Sequence, residues 1–293
     1  MPHADADTDT GAGAPAPAAL TPGVVVLLWV AGGLVLLAGI QLFVFTERTD
    51  RYFAWTIQPP LTAAFLGASY WSAVAFEWMA ARARTWAHAR IAVPTVFVFT
   101  TLTLVVTLVH LERFHLGSDH ELGTQLVTWA WIAVYSVVPL LMVAVVLRQR
   151  QVPGADPPRA RPLPAVIVVV VAVQAAVLLP LGAALLVVPE DAAAWWPWAL
   201  SPLTGRAVGA WLVSLGIAAA HSVVERDLDR LRPAAAAYLV FGVLQTAALV
   251  RYADIPDWGD VTTIAYVAFL ASTVATGAGT LALAARPSRG STT

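Results

Sequence analysis

The sequence predicts an all-α integral membrane protein with eight transmembrane helices arranged as two tandem four-helix repeats. Three observations indicate this fold class. The 293-residue chain is 59% hydrophobic and only 12% charged, whereas a soluble domain carries about 25% charged residues. Its apolar residues form runs long enough to cross a bilayer, which takes about 20 residues per helix. A phrase at the start of the second run also recurs at the start of the sixth run.

Each of the eight apolar runs is predicted to be a membrane-spanning helix. Open strands cannot satisfy their backbone hydrogen bonds in lipid, and uninterrupted Val, Leu and Ala residues lack the alternation of a barrel strand. The predicted helices are Pro22–Val44, Pro59–Met79, Ile91–Leu111, Leu122–Leu147, Pro164–Val188, Arg206–Val224, Pro233–Arg251 and Val261–Ala284.

The segments outside these runs divide the chain. Residues 1–20 are rich in Ala, Asp, Pro and Gly, which predicts a disordered N-terminal tail, and they lack the basic region of a cleaved signal peptide. The Pro- and Arg-rich stretch 151–163 is predicted to be a cytoplasmic linker between a first repeat, 21–150, and a second repeat, 164–285. Residues 286–293 form a C-terminal tail.

The arginine distribution predicts the orientation in the membrane. All 17 basic residues are arginine. Twelve of them lie in the C-terminal tail and in every second connection between the predicted helices. The other five lie on the opposite side. Because basic loops stay in the cytoplasm, the twelve-arginine side and both termini are predicted to be cytoplasmic in a cell membrane. Arg48 and Arg51, after the first helix, favour the reverse orientation, but the whole-chain count outweighs one pair of flanks.

The repeated phrase indicates a tandem duplication. It reads "FAWTIQPPLTAAFLGA" at 53–68 and "WPWALSPLTGRAVGA" at 196–210, which overlays Gly67 on Gly209, 142 residues later. With an even number of helices per repeat, the pseudo-twofold axis should lie along the membrane normal. Small residues allow close helix approach, so both glycines are expected to face protein. The second and sixth helices pack either against each other across the axis or each within its own half.

The phrases "FAWTIQPPLTAAFLGASYW", "HLERFH" and "WPWALSPLTGRAVGAWL" resemble stretches of uncharacterised multi-pass membrane proteins of high-GC bacteria. The resemblance covers most of the membrane region. The resemblance implies a multi-pass membrane protein but does not indicate an activity.

A ligand site is predicted at the outer mouth between the second and sixth helices. Helix N-termini offer unpaired N–H groups to anionic or carbonyl ligands, and tryptophans supply apolar walls. Arg206 lies in the first turn of the sixth helix, where a cation is disfavoured, so it is expected to have an anionic partner. The candidate partners are Glu190, Asp191, Glu47, Asp50, a lipid phosphate or a ligand. The predicted ligand-binding residues are Trp55, Thr62, His110, Arg113, Trp198, Thr204 and Arg206.

Side-chain composition excludes several chemistries. The absence of cysteine and lysine removes thiolate metal sites, Cys nucleophiles and Schiff bases. The segment "HLERFHLGSDH" places three histidines near acidic residues. Their five-residue spacing does not place them on one helix face, so a solvated loop with one interfacial histidine is predicted, and no metal site. Glu77 is expected to pair with Arg82 and Arg84 near the inner end of the second helix, which leaves the membrane interior free of charge.

Three functions are compatible with the sequence. The favoured one is a small-molecule-binding or transport protein with its site near the outer face between the repeats. The alternatives are a non-catalytic membrane scaffold or sensor component, and a haem- or metal-dependent membrane enzyme that uses outer-face His, Glu and Arg residues. No P-loop, nucleophile-elbow or zinc-protease motif is present, so no catalytic residue and no cofactor is assigned. The expected partners are the lipid bilayer and a small-molecule ligand, without nucleic acid.

Overall fold

The computed structural model describes residues 16–287, and eight α-helices of 18 residues or more account for most of them. We number these helices in chain order. They are α1 (Pro22–Gly39), α2 (Pro60–Ala81), α3 (Ala92–Val109), α4 (Leu122–Gln149), α5 (Ala165–Val187), α6 (Pro202–Glu225), α7 (Arg232–Arg251) and α8 (Val261–Ala285). A π-helical turn, Ile40–Val44, continues α1. Within the described range, no β-strand forms.

The helices confirm an all-α membrane protein. Seven of the eight are long and apolar enough to cross a bilayer. The exception is α2, which carries Ser69, Ser72 and Glu77 and whose residues are mostly buried by neighbouring helices. A helix enclosed by protein can hold polar groups that would be costly against lipid. Spanning by α2 therefore stays a prediction.

The predicted helix boundaries lie within a few residues of the observed ones. The end of α1 differs because its last predicted residues form the π-helical turn, and the start of α6 differs by four residues. Pro202, not Arg206, begins this helix. The Ser201 hydroxyl accepts a hydrogen bond from the Thr204 backbone N–H at 3.3 Å, and the Thr204 hydroxyl accepts one from the Ser201 N–H at 2.9 Å. Reciprocal capping of this kind satisfies N–H groups that a helix start leaves unpaired.

The connections between the helices lie at two opposite ends of the bundle. At the first end, hydrogen bonds join the connecting segments to one another. We call it the arginine-rich end, and it comprises 16–20, 82–91, 150–164, 226–231 and 286–287. We call the other the tryptophan-rich end, and it comprises 45–59, 110–121, 188–201 and 252–260.

The chain before α1 is ordered where it meets the bundle. The backbone N–H of Ala18 donates to the carbonyl of Ala155 at 3.1 Å, which fixes residues 16–20 against the segment between α4 and α5. The predicted N-terminal disorder therefore does not extend to 16–20. Residues 1–15, and 288–293 of the C-terminal tail, lie outside the described residues.

The helices pack in a pattern that recurs in the two halves. α2 packs along α1 and α7, and α6 packs along α5 and α3. α3 also packs on α4, and α7 packs on α8, whereas α2 and α6 touch only briefly. Each central helix is thus flanked by the preceding helix of its own half and by the third helix of the other half.

Gly67 and Gly209 mark a close helix approach within each half. A Cβ atom added to Gly67 would lie 2.5 Å from the backbone nitrogen of Phe43, in the turn that continues α1. One added to Gly209 would lie 2.7 Å from the carbonyl oxygen of Gly182 in α5. Both glycines face protein, as predicted. The glycines therefore contact the preceding helix of their own half and do not bring α2 against α6.

Candidate functional site

The predicted ligand-binding residues at the tryptophan-rich end mostly contact protein. Trp198 Nε1 donates to Thr62 Oγ1 at 2.9 Å, a bond that joins the two halves. Thr204 belongs to the α6 cap. Trp55 packs edge-on against Trp131, with ring centroids 5.1 Å apart. Trp55, Thr62, Trp198 and Thr204 are all buried, so side chains fill much of the mouth between α2 and α6.

Arg206 has neutral partners among the described residues, and none of the four expected carboxylates pairs with it. A lipid phosphate or a ligand as its partner stays a prediction. Its Nε donates to the Leu186 carbonyl at 3.0 Å and its Nη1 to His110 Nε2 at 2.8 Å. Burial, together with the Arg206 charge, lowers the pKa of His110, which keeps the imidazole neutral and able to accept. Among residues 16–287, no carboxylate forms an ion pair with Arg206. The partial negative charge at the C-terminus of α5 takes the place of an anion.

Arg113 stands apart from the other predicted residues. Its side chain is 74% exposed, and its Nε lies 3.8 Å from Glu112 Oε1. The structure therefore arranges the predicted set as two hydrogen-bonded contacts, Trp198 with Thr62 and Arg206 with His110, together with an exposed arginine. These contacts stabilise the junction of the two halves.

His115 is a buried exception in the predicted solvated loop, whose residues 111–113 and 117–119 are exposed. This residue is buried, with Nδ1 3.0 Å from the Phe53 carbonyl oxygen and Nε2 3.0 Å from Thr56 Oγ1. Burial lowers the pKa of His115, so the neutral ring can donate from one nitrogen and accept at the other. It fastens the connection 110–121 to the connection 45–59. In the described part of the chain, no group of three His, Cys, Asp or Glu residues could hold a metal ion.

A buried acid in α2, Glu77, is the functional candidate that sequence analysis missed. It is 2% exposed, and its Oε2 has no hydrogen-bond partner. The expected pairing with Arg82 and Arg84 is wrong, because Arg82 donates to the Trp78 carbonyl at 3.2 Å and lies 4.6 Å from the centroid of the Trp29 ring. At 3.6 residues per turn, side chains five residues apart point about 140° away from each other. Glu77 therefore points into the bundle while Arg82 lies outside it.

Glu77 lies where two cavities meet. The larger holds about 280 Å³ among α1, α2, α3 and α4, and we call it the first-half cavity. The smaller holds about 40 Å³, chiefly among α2, α3, α6 and α7. Apolar and aromatic side chains line most of both. The polar side chains of the first-half cavity are Gln41, Tyr70, Glu77, Thr100 and Tyr135.

Two tyrosines form the polar centre of the first-half cavity. The hydroxyl oxygens of Tyr70 in α2 and Tyr135 in α4 are 2.7 Å apart, and both side chains are buried. The Phe99 ring lies 5.9 Å from Tyr70, and the Trp131 ring lies 4.4 Å from Tyr135, measured between centroids. These four rings give the cavity an aromatic wall.

The first-half cavity reaches the membrane-facing surface between α1 and α4. Leu37 of α1 is 59% exposed, Ala130 of α4 is exposed, and both line the cavity. α1 and α4 make few contacts with each other. The cavity therefore offers a lateral path from the bilayer towards Glu77 that avoids the polar ends of the bundle.

One sequence signal could have identified this site. Ionisable residues within transmembrane segments are rare and usually functional, so the single acid in an otherwise uncharged α2 run was informative. The tyrosine pair could not be found in this way, because its members are 65 residues apart and meet only through helix packing.

No protein-family model matches the chain, and comparison with curated proteins and with solved structures gives no match. A functional assignment therefore depends on the cavity and the side chains that line it.

Proposed function

We propose that the protein binds a small, largely apolar molecule that enters the first-half cavity from the bilayer. One observation carries this proposal: a buried acid with an unpaired oxygen lies against a cavity of about 280 Å³. Ligand sites are typically concave and apolar, with a few polar groups that orient the ligand. Gln41, the tyrosine pair and Glu77 are such groups here.

We also propose that all eight helices span the membrane as two repeats related by a pseudo-twofold axis along the membrane normal. When α1–α4 are matched in order with α5–α8, the contacts of α2 with α1 and α7 correspond to those of α6 with α5 and α3. This correspondence supports the proposal. The glycine contacts support it as well, since Phe43 lies against Gly67 and Leu186 lies against Gly209. Many transporters have internal repeats, so transport of the bound molecule is the activity we propose.

The two halves differ at the proposed site. The residue 142 positions after Glu77 is Ala219. The corresponding cavity among α5, α6, α7 and α8 holds only about 20 Å³. An acid is thus paired with a roomy cavity in one half, and an alanine with a small cavity in the other. This difference supports a single ligand site, in the first half.

Reporter fusions should reveal alternating sides along the chain, with the arginine-rich end in the cytoplasm. Fusions after Gln58 and after Arg84 flank α2 and should report opposite sides, outside and cytoplasmic. Fusions after Arg150 and after Asp191 flank α5 and provide the matched comparison. If the two fusions around α2 reported the same side while those around α5 differed, α2 would not span the membrane.

Filling the first-half cavity should abolish binding of a small apolar probe. We expect octan-1-ol to bind the purified protein in lipid nanodiscs, as measured by isothermal titration calorimetry against empty nanodiscs. Ala130→Trp places a large ring in the opening and should weaken this binding at least about tenfold, a loss of 1.4 kcal/mol. Leu126→Trp is the control, because Leu126 is exposed on the same helix and does not line the cavity. No binding to the wild type, or equal binding to both variants, would refute the proposed site.

A further inference from the structure

We infer that the molecule bound in the first-half cavity carries a protonated amine, which Glu77 holds as an ion pair. This inference rests on the proposed function and adds the chemical class of the ligand. It starts from the surroundings of the Glu77 carboxyl group, which lack both a cation and a hydroxyl group that donates to it.

No basic side chain of the described residues pairs with Glu77. Its Oε2 has no hydrogen-bond partner, and every ion pair found in residues 16–287 involves other acids. An ionised carboxylate buried without a partner is costly. Without a cation the acid therefore favours its neutral, protonated form. A bound cation offsets the cost of ionising the acid, whereas a bound anion would increase it.

The hydroxyl groups beside Glu77 have already committed their protons. Ser72 donates to the Ser69 carbonyl at 2.7 Å, and Thr95 donates to the Ile91 carbonyl at 2.8 Å. The other two are Thr100, which donates to Val96 O, and Ser214, which donates to Ala210 O. Thr100 lines the first-half cavity, and the other three line the smaller cavity that meets it at Glu77. Towards the cavities they can offer only lone pairs, so this end of the site favours a ligand group that donates.

Tyr238 does not supply the missing proton. It lines the smaller cavity together with Glu77, but its hydroxyl has no hydrogen-bond partner and therefore does not reach the carboxylate. An alkylammonium group carries a positive charge and three N–H donors. It matches an acid surrounded by acceptors better than an alcohol, which donates once, or a carboxylate, which donates nothing.

Away from Glu77, the first-half cavity matches the apolar part of an amine ligand. The rings of Tyr70, Phe99, Trp131 and Tyr135 form one wall, and the faces of aromatic rings attract cations. The opening beside Leu37 and Ala130 lies between two helices that face the membrane, so an apolar tail can extend towards lipid. A lipophilic amine therefore satisfies the acid, the aromatic wall and the lateral opening together.

Three probes with the same eight-carbon chain test the inference: octylammonium, octan-1-ol and octanoate. Each is titrated calorimetrically into nanodiscs that contain the full chain, with empty nanodiscs as the blank. We expect octylammonium to bind the wild type at least about tenfold more tightly than octan-1-ol, as is usual for a hydrogen bond to a charged group. Glu77→Gln should remove this preference, so that octylammonium binds no more tightly than octan-1-ol. Glu77→Asp keeps the charge and should retain the preference.

Two results separate the inference from the proposal on which it rests. Octan-1-ol binding that Ala130→Trp blocks, without any preference for octylammonium, would overturn the amine and keep the cavity. The amine would also be overturned, and the cavity kept, if Glu77→Gln kept the preference for octylammonium or if octanoate bound most tightly. Failure of all three probes to bind the wild type would overturn the cavity as well.

Discussion

Replacing Glu225 with glutamine should lower the free energy of unfolding by about 3–5 kcal/mol, the usual cost of removing one partner of a buried ion pair. Glu225 ends α6 at the arginine-rich end and is 2% exposed. Its Oε1 lies 2.5 Å from Arg90 Nε, and its Oε2 lies 2.7 Å from Nη1 of Arg230, which is 3% exposed. Glutamine keeps the shape but loses the charge. Among the described residues, Arg230 would then keep one carboxylate, Asp156 at 3.8 Å, and its hydrogen bond to the Pro157 carbonyl.

The loss should be large because Glu225 also organises the segment between the two halves. Arg90, whose pKa is raised by its hydrogen bond to Glu225, contacts Asp156 at 2.5 Å through its Nη1. Arg159 donates to the Glu225 backbone carbonyl at 2.8 Å. The stretch 151–163, predicted only as a linker, is thus fastened to α6 and to the α2–α3 connection. Loss of the carboxylate removes the group that holds Arg90 and Arg230 beside this stretch.

Thermal unfolding in detergent micelles, with Glu121→Gln as the matched control, measures this effect. Glu121 pairs with Arg51 at 3.2 Å, but both side chains are more than half exposed, and exposed ion pairs contribute about 0–1 kcal/mol. The melting temperature should fall clearly for Glu225→Gln and little for Glu121→Gln. Similar losses in the two variants would show that the buried network contributes no more than a surface ion pair.

Local chemistry made the helices predictable from sequence. Apolar runs indicated their number and approximate length, and capping residues account for the observed starts of α6 and α8. Ser201 caps α6, and Asp260 caps α8 by accepting a hydrogen bond from the Thr262 N–H at 2.7 Å. These contacts join residues two or three positions apart, so both partners can be recognised within one short stretch of sequence.

The site was beyond prediction because its decisive contacts are distant in sequence. Arg82 stands five positions after Glu77, which suggested a pair, but helix geometry directs them apart. Arg206 finds His110, 96 residues away, and not a nearby acid. The cavity itself arises from the packing of α1, α2, α3 and α4, and the order of residues does not predict where packing leaves an empty volume.

Replacing Gly67 or Gly209 with leucine should destabilise the protein by about 1–3 kcal/mol or more, the cost of overpacking a close contact. A Cβ alone would lie 2.5 Å from the Phe43 nitrogen in the first case and 2.7 Å from the Gly182 carbonyl oxygen in the second. Both obstacles are backbone atoms, which cannot rotate away as a side chain can. Even alanine should therefore force α2 away from α1, or α6 away from α5.

Gly33 in α1 provides the matched control, because a Cβ added there meets nothing within 4 Å. Gly33→Ala should be neutral or stabilising by up to about 1 kcal/mol, since glycine is a poor helix former. Thermal unfolding of Gly67→Ala, Gly209→Ala and Gly33→Ala in the same detergent compares them directly. If all three behaved alike, the close approach of the helices would be wrong. Equal losses for Gly67→Ala and Gly209→Ala, with none for Gly33→Ala, would explain the repeated phrase: each copy brings a central helix against the helix before it.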